Sequence, residues 1–499
     1  MGSGWIVKGL VAAAAWIALL AAKGATEASA AKAAEGALRA RGQAQGWFEA
    51  AILKSPAELM PLGLGVAVAA SDTGLLAVGG GWDQDLGVDA GRVALWRWRG
   101  GGAEFVGAIG HPDGLVRAGF GGALAFGRSG ALLVIGAPRE DATREHSLGG
   151  WPGGFQAGAV HLYGAVRHGD ARFERMATLR SKDSRAGAQF GSAVATDGDR
   201  VVVGSPEHSG VAFARGFAEV FVEREGQWQC EAVLEVPDVQ MGMRYGSSVA
   251  VSAAGAAGAA GDGGGVIVVG APGQSVVGSS RGSADVFRLG KDEWVRVARL
   301  HAPTPQNYAR FGTSVAADGD LIAVGAPQES REPEGMAPER SGRVHLYRCV
   351  DGGTQSERWD HLGTIDSPDP WCADGSPRPE AFGVSLALRD GLLAIGASES
   401  CTMGSQSIAG AGAVYLVRVD GPLEQATISR VDSSQAAFEC HDGYRVALGR
   451  GPARANGTPL LLVGRLGNPD SSPGPGVVTV FAQDAGNGGG DGDGGVSSP

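Results

Sequence analysis

The chain has 499 residues, with 42 basic against 53 acidic side chains and a net charge of −11, which argues against a dedicated nucleic-acid binder and its basic footprint. Glycine supplies 85 residues, well above the roughly 7% that is usual, yet no strict Gly-X-Y period runs through the chain, which excludes collagen. Apolar residues make up 43%, enough for a sizeable core and too many for a broadly disordered chain.

The N-terminus reads as an export signal. Lys8 supplies a positive start, Gly9 to Ala22 is an unbroken run of apolar and small residues, Lys23 ends it, and Ala28-Ser29-Ala30 offers a small-residue cleavage site. The run is shorter than the roughly 20 residues a membrane helix needs. Residues 1–30 are therefore expected to be a signal peptide, with an uncleaved anchor as the alternative, and the mature chain is expected to be secreted or extracytoplasmic, with no membrane span. Residues 31–46 read as a linker or short helix.

From residue 47 onward one unit recurs, and it has four blocks. The first opens on an aromatic residue with an aliphatic residue six positions on: Trp47 and Leu53, Phe173 and Leu179, Trp228 and Leu234, Trp294 and Leu300, Trp359 and Ile365. The second reads Phe120-Gly121, Phe190-Gly191, Tyr245-Gly246, Phe311-Gly312 and Phe382-Gly383, with a weak copy at Leu64-Gly65 and a degenerate one at Tyr444-Arg445. The third is a β-branched or aliphatic run ending in Gly-Ala-Pro or a near copy, as in Leu133 to Pro138, Val201 to Pro206, Val266 to Pro272 and Leu321 to Pro327. The fourth alternates from a glycine, as in Gly158 to Tyr163, Gly216 to Phe221, Gly282 to Phe287 and Gly342 to Tyr347. Turn residues such as Asp197-Gly198-Asp199 and Asp318-Gly319-Asp320 separate the blocks. Seven units of four short antiparallel strands predict an all-β fold, a seven-bladed β-propeller over residues 47–482, with a flexible Gly-rich tail at 483–499. The first strand is of the outer type and the last, Val477 to Phe481, of the third type, so the N-terminal strand is expected to complete the last blade and close the ring.

Phe-Gly followed after a hairpin by Gly-Ala-Pro, five good copies and two weak ones in phase, resembles the FG-GAP repeat of integrin α-subunit N-terminal propellers and of exported FG-GAP propellers. The resemblance implies the strand order within a blade: the Phe-Gly strand innermost, then the Gly-Ala-Pro strand, then the Gly-x-Val strand, then the aromatic strand outermost. It also implies calcium in the hairpin between the first two strands, on the pattern D-x-D/N-x-D-G-x-x-D. This sequence departs from that pattern: Asp197-Gly198-Asp199, Asp318-Gly319-Asp320 and Asp390-Gly391 offer too few oxygens for a hard cation and read as solvated turns, so no metal or other cofactor is expected.

No catalytic motif stands in the chain: there is no G-x-S-x-G, H-E-x-x-H or G-x-x-x-x-G-K-[ST], and His161 and His345 occupy one repeat position and read as structural. The loops from second to third strands and from fourth to first strands should share one face. They carry Trp151, Tyr308, Trp371, Arg144, Arg244 and Arg310, side chains of the kind enriched at binding hot spots. Cys372 and Cys401 fall in two loops of one blade and are candidates for a disulfide, with Cys401 to Cys440 the competing pairing; Cys230 is expected buried and free, and Asn456 heads the one glycosylation sequon. The function expected is an exported, non-enzymatic recognition or adhesion module binding a protein or glycan through this face. The alternatives are a hydrolase or lyase with its site across the propeller mouth, or a structural envelope or matrix protein. The oligomeric state is left open.

Overall fold

Aliphatic and aromatic runs punctuated by glycine form strands at each repeat block. The computed structural model describes residues 46–54, 64–80, 90–141, 154–167, 171–209, 213–238, 240–252, 265–275, 279–291, 293–330, 340–352, 354, 357–368, 381–399, 402–403, 406–407, 412–432, 444–452, 457–465 and 477–483. Blade one consists of Leu64–Ala70, Leu75–Gly80, Arg92–Arg99 and Gly102–Gly110, paired in that order. Blade two is Ala123–Phe126, Leu132–Ala137, Ala159–Ala165 and Phe173–Leu179; blade three is Ala193–Thr196, Arg200–Ser205, Phe217–Arg224 and Gln227–Leu234. Blade four is Ser248–Ser252, Val266–Ala271, Ser283–Leu289 and Trp294–Leu300; blade five is Ser314–Asp318, Leu321–Ala326, Arg343–Val350 and Arg358–Asp366. Blade six is Phe382–Arg389, Leu392–Ala397, Ala413–Arg418 and Ile428–Val431. Blade seven is Arg445–Arg450, Pro459–Arg465 and Val477–Gln483, completed on its outside by the N-terminal strand Trp47–Leu53. Every pairing within a blade is antiparallel, and the innermost strands touch one another in a closed cycle, the seventh returning to the first. The propeller, its strand order and its closure by the N-terminal strand are as the sequence predicts. The one helical element among the described residues is a 3-10 turn at Leu423–Gln425.

The core is divided among the junctions. Seven apolar clusters form, each drawing side chains from two adjacent blades. Between blades two and three, Val134 and Leu162 meet Phe190, Val201 and Phe221, with Trp228 half-buried at the rim. Phe120, Phe190, Phe311 and Phe382, the aromatic residues of the Phe-Gly blocks, are fully buried, each stabilising by roughly 1.5–3 kcal/mol relative to exposure. The rim aromatics Trp47, Phe173, Trp294 and Trp359 pack on their own junctions in the same way.

The glycines of the motif have a shared steric cause, seen at the junction of blades two and three. A Cβ on Gly136, of the Gly-Ala-Pro block, would stand on the carbonyl oxygen of Gly191, of the next Phe-Gly block. Gly158, at φ +90°, opens the third strand of blade two, and a Cβ there would stand on the carbonyl oxygen of Phe190. Both backbones close directly on the next blade, so neither position accepts a side chain. Gly191 in turn donates its N–H to the carbonyl of Gly204 at 2.9–3.0 Å, as Gly121, Gly246 and Gly312 do to the equivalent residues of their own blades. Among the described residues the same approach recurs at Gly79, Gly204, Gly270, Gly325 and Gly464, so six of the seven junctions demand glycine.

Candidate functional site

The loops of one face interleave. Gly187 donates its N–H to the carbonyl of Phe155 at 2.7 Å, Gly242 to Phe213 at 2.9 Å, and Tyr308 to Ser279 at 2.7 Å, so each second-to-third-strand loop is stitched to the fourth-to-first-strand loop beside it. Of the residues expected on this face, Tyr308, Arg244 and Arg310 are described. Tyr308 is 49% exposed, and the Arg340 guanidinium lies over its ring at 5.7 Å. Arg244 places Nε 3.0 Å from the Glu207 carboxylate. Arg244 and Arg310 both have positive φ, 53° and 55°, but so do Gln189 and Ala381 at the same repeat position, so this conformation belongs to the turn and marks no site. Trp151, Trp371, Arg144, Cys372, Cys401, Cys440 and Asn456 lie outside the described residues. Cys230, expected buried, is half-buried and free, and Cys349 is free as well.

Sequence reasoning missed the most exposed apolar residues of the face. Phe155, Phe213 and Met241 are 60%, 69% and 76% exposed, and Leu115 and Val116 join them on the loop between blades one and two. Phe155 and Phe213 stand three residues before Gly158 and Gly216, one repeat apart, and Val116 and Met241 stand at another shared position, four residues before an aromatic. An alignment of the loops as well as the strands would have paired them. Exposed large apolar side chains on loops that a rigid disc holds in place are what a partner surface requires.

Beneath the face lies a buried polar set. The Glu140 carboxylate, two residues past the proline of its Gly-Ala-Pro block, receives His161 Nε2 at 2.7 Å and His111 Nε2 at 2.9 Å on one oxygen, and Arg180 on the other. All three of His111, Glu140 and His161 are sealed from solvent, and their nitrogen and oxygen atoms lie within 4.8 Å of one another, close enough to suggest a metal centre. The hydrogen bonds assign another role. His111 Nδ1 accepts the backbone N–H of Asp113 at 3.2 Å and of Leu115 at 3.3 Å, so in the neutral ring the proton sits on Nε2 and points at Glu140. That nitrogen then has no lone pair for a cation, and Arg180 brings the compensating charge. Burial alone would raise the Glu140 carboxyl, but the hydrogen bonds from His111 and His161 and the nearby Arg180 charge outweigh it and hold the group well below the usual carboxylate range. Blade five repeats the arrangement: His345 Nε2 lies 2.8 Å from Glu329, and Thr364 lies 3.0 Å from its Nδ1, as Thr178 lies 3.1 Å from Nδ1 of His161. His161 and His345 thus share one repeat position and the same two kinds of partner, a glutamate carboxylate and a threonine hydroxyl.

On the opposite face the hairpin turns are not simply solvated, contrary to the sequence reading. Asp318 accepts Arg128 at 2.5 Å and the backbone N–H of Asp390 at 2.6 Å; Asp390 accepts Arg450 at 2.5 Å, and Asp72 accepts Arg389 at 2.6 Å. This donor set does not fit a calcium loop. The Asp318 and Asp390 carboxylates that such a loop would turn inward are committed to guanidinium groups of other blades, Arg128 of blade two and Arg450 of blade seven. The Asp197 turn is local by contrast, its carboxylate accepting the N–H groups of Asp199 and Arg200.

Residues 173–221 and 294–347 match the model of the FG-GAP repeat family. Each stretch runs from the outer strand of one blade through the third strand of the next, spanning the junction described above. No curated protein matches in sequence. Among solved structures, the crystal structure of RRP9 WD40 repeats is similar over 89% of this chain and 99% of that one, at 11% identity and a TM-score of 0.48.

Proposed function

The chain is an FG-GAP repeat propeller, and from that premise we propose that it is an exported, non-enzymatic recognition module whose partner is a protein seated on the loop face. The observation that carries the reading is the set of outward apolar side chains, Phe155 and Phe213 at one shared loop position and Val116 and Met241 at another, with Tyr308, Arg244 and Arg310 on the same face. Phe and Met side chains of this exposure favour a partner with apolar side chains of its own; a glycan would be met by aromatic faces and hydrogen-bonding groups instead. The non-enzymatic reading is supported by the chemistry of the Glu140 set, whose donors and acceptors are sealed and engaged with one another. Export is supported by Lys8, the run Gly9 to Ala22 and the Ala28-Ser29-Ala30 site, and the N-terminal sequence of the secreted protein tests it.

The binding test uses the full chain immobilised against the secreted proteins of its source and, in parallel, a glycan array. The triple variant F155S/F213S/M241S should lose at least about tenfold in partner affinity, since even one buried apolar anchor is commonly worth more than about 1 kcal/mol. A hairpin-face variant, R418A, should bind as the wild type does. Equal binding by the triple variant, or saturable binding to a glycan alone, would overturn the reading.

A further inference from the structure

Four blades carry a buried carboxylate or histidine at the third position after the glycine that opens the third strand: His161, Glu219, Asp285 and His345. The cross-strand neighbour decides how each is satisfied. His161 is in register with Thr178 and His345 with Thr364, and each threonine hydroxyl reaches its imidazole. Asp285 is in register with Arg299, whose Nε lies 2.8 Å from Oδ1. Glu219 is in register with Val233, which has nothing to donate.

The second source of compensation is missing too. The loop position that supplies Glu140 to blade two and Glu329 to blade five supplies His208 to blade three, and His208 Nε2 lies 3.1 Å from Asp183 instead. Glu140 has Arg180 and Asp285 has Arg299; among the described residues no guanidinium pairs with Glu219. The groups that face it are the Cys230 thiol on the outer strand of its own blade, with Sγ 3.8 Å from Oε1, and Ser181 and Lys182 on the segment leaving blade two. Its Oε2 is buried and keeps no hydrogen bond of standard geometry.

We propose that Glu219 is a proton-binding site whose ionisation loosens the junction of blades two and three. Protonated, it is a neutral acid among Ser181, Cys230 and the Lys182 backbone; ionised, it is a buried charge without a paired cation, and the junction that carries the Phe155 and Phe213 loops loosens. Burial is the largest influence and pushes the carboxyl up to about 7, against the lowering effect of its hydrogen-bonding neighbours and of Lys182. The same burial, with the Glu219 charge behind it, pushes the Cys230 thiol up to about 11, so the thiol stays protonated and remains a donor throughout. Because the folded-state value lies above the unfolded one, the folded chain holds a proton that the unfolded chain lacks between about pH 4.5 and 7. Stability from this group is therefore full below that window, falls as pH rises through it, and is level above it.

The test compares the full chain with E219Q and V233R by denaturant unfolding from pH 4.5 to 8.5. Glutamine keeps the shape without the titration, and V233R supplies the cross-strand arginine that Asp285 has in blade four. Across the window the unfolding equilibrium constant of the wild type should rise relative to E219Q by roughly 100- to 300-fold, the factor that a displacement from 4.5 to about 7 implies. Backbone hydrogen exchange at 181–183 and 217–219 should quicken above pH 7 in the wild type relative to E219Q. V233R should lose the same pH dependence, and it decides the matter if E219Q does not fold. Wild type and E219Q running parallel across the window, or V233R keeping the wild-type slope, would overturn the proposal.

Discussion

At Gly158 a single hydrogen atom separates a folded junction from a strained one. Its φ of +90° and the Phe190 carbonyl directly over it exclude any side chain. Gly102, on the outer strand of blade one, has open space where a Cβ would go and no positive φ. We expect G158A to cost at least about 2–3 kcal/mol, combining backbone strain with the loss of close packing, and G102A to be neutral or slightly stabilising. Denaturant midpoints of the two variants check this. Glu140 acts at the same scale through charge. Replacing it by glutamine leaves Arg180 partly buried without its anion, a loss of about 3–5 kcal/mol in comparable buried pairs. Its carboxyl is held below the ordinary range when folded, so its contribution is present above the ordinary carboxylate value near 4.5 and is lost as the solution is acidified below it. The unfolding midpoint of E140Q should accordingly be lower than that of the wild type at pH 7, with the gap closing toward pH 2. A gap that stays constant with pH would mean that Glu140 contributes through shape alone.

The strand Trp47–Leu53 is the element on which closure depends. It pairs with Val477–Gln483 along its whole length, with one bulge between Glu49 and Ala51, and buries Leu53 against Val478 and Val480 in the junction of blades seven and one. Without it, the third strand of blade seven becomes an open edge ready to pair with another chain. A chain starting at residue 54 should melt at lower temperature and associate through that edge, whereas one starting at residue 46 should melt like the full chain and stay in its native assembly state; size-exclusion chromatography and thermal unfolding distinguish them. Most of this level was legible in the sequence. Each strand had its own periodic run, and the glycines recur because the same steric demand recurs at each junction. The loops were legible only in part. Tyr308, Arg244 and Arg310 are recognisable as residue types, but Phe155, Phe213 and Met241 sit in loops outside the alternating strand runs, and their exposure follows from the disc beneath them. The deficit at Glu219 is likewise invisible until the register places Val233 opposite it.

Across the whole molecule, contacts of a repeat protein are mostly with the next repeat, and such arrays unfold piecemeal when little binds distant units together. Here two features oppose that: the ring closure, and the ion pairs across the hub on the hairpin face. Arg128 of blade two reaches Asp318 of blade five, 190 residues away, and Asp318 holds the turn of blade six at the N–H of Asp390, which in turn holds Arg450 of blade seven. No reading of the linear sequence pairs Arg128 with Asp318, because blades two and five are not neighbours in the repeat order. Arg128 is half exposed, so its pair with Asp318 is screened and is worth no more than about 0.5–1 kcal/mol by itself. Its weight lies in which blades it joins. A double-mutant cycle of R128M and D318N should give a coupling of about that size at low salt and little at 1 M salt, where the screening length falls to about 3 Å. The larger effect should be on cooperativity: in R128M/D318N the calorimetric enthalpy of unfolding should exceed the van't Hoff enthalpy by more than in the wild type, because opposite sides of the ring can then open separately. An unchanged enthalpy ratio would mean that the closed cycle of inner strands alone makes the seven blades unfold together.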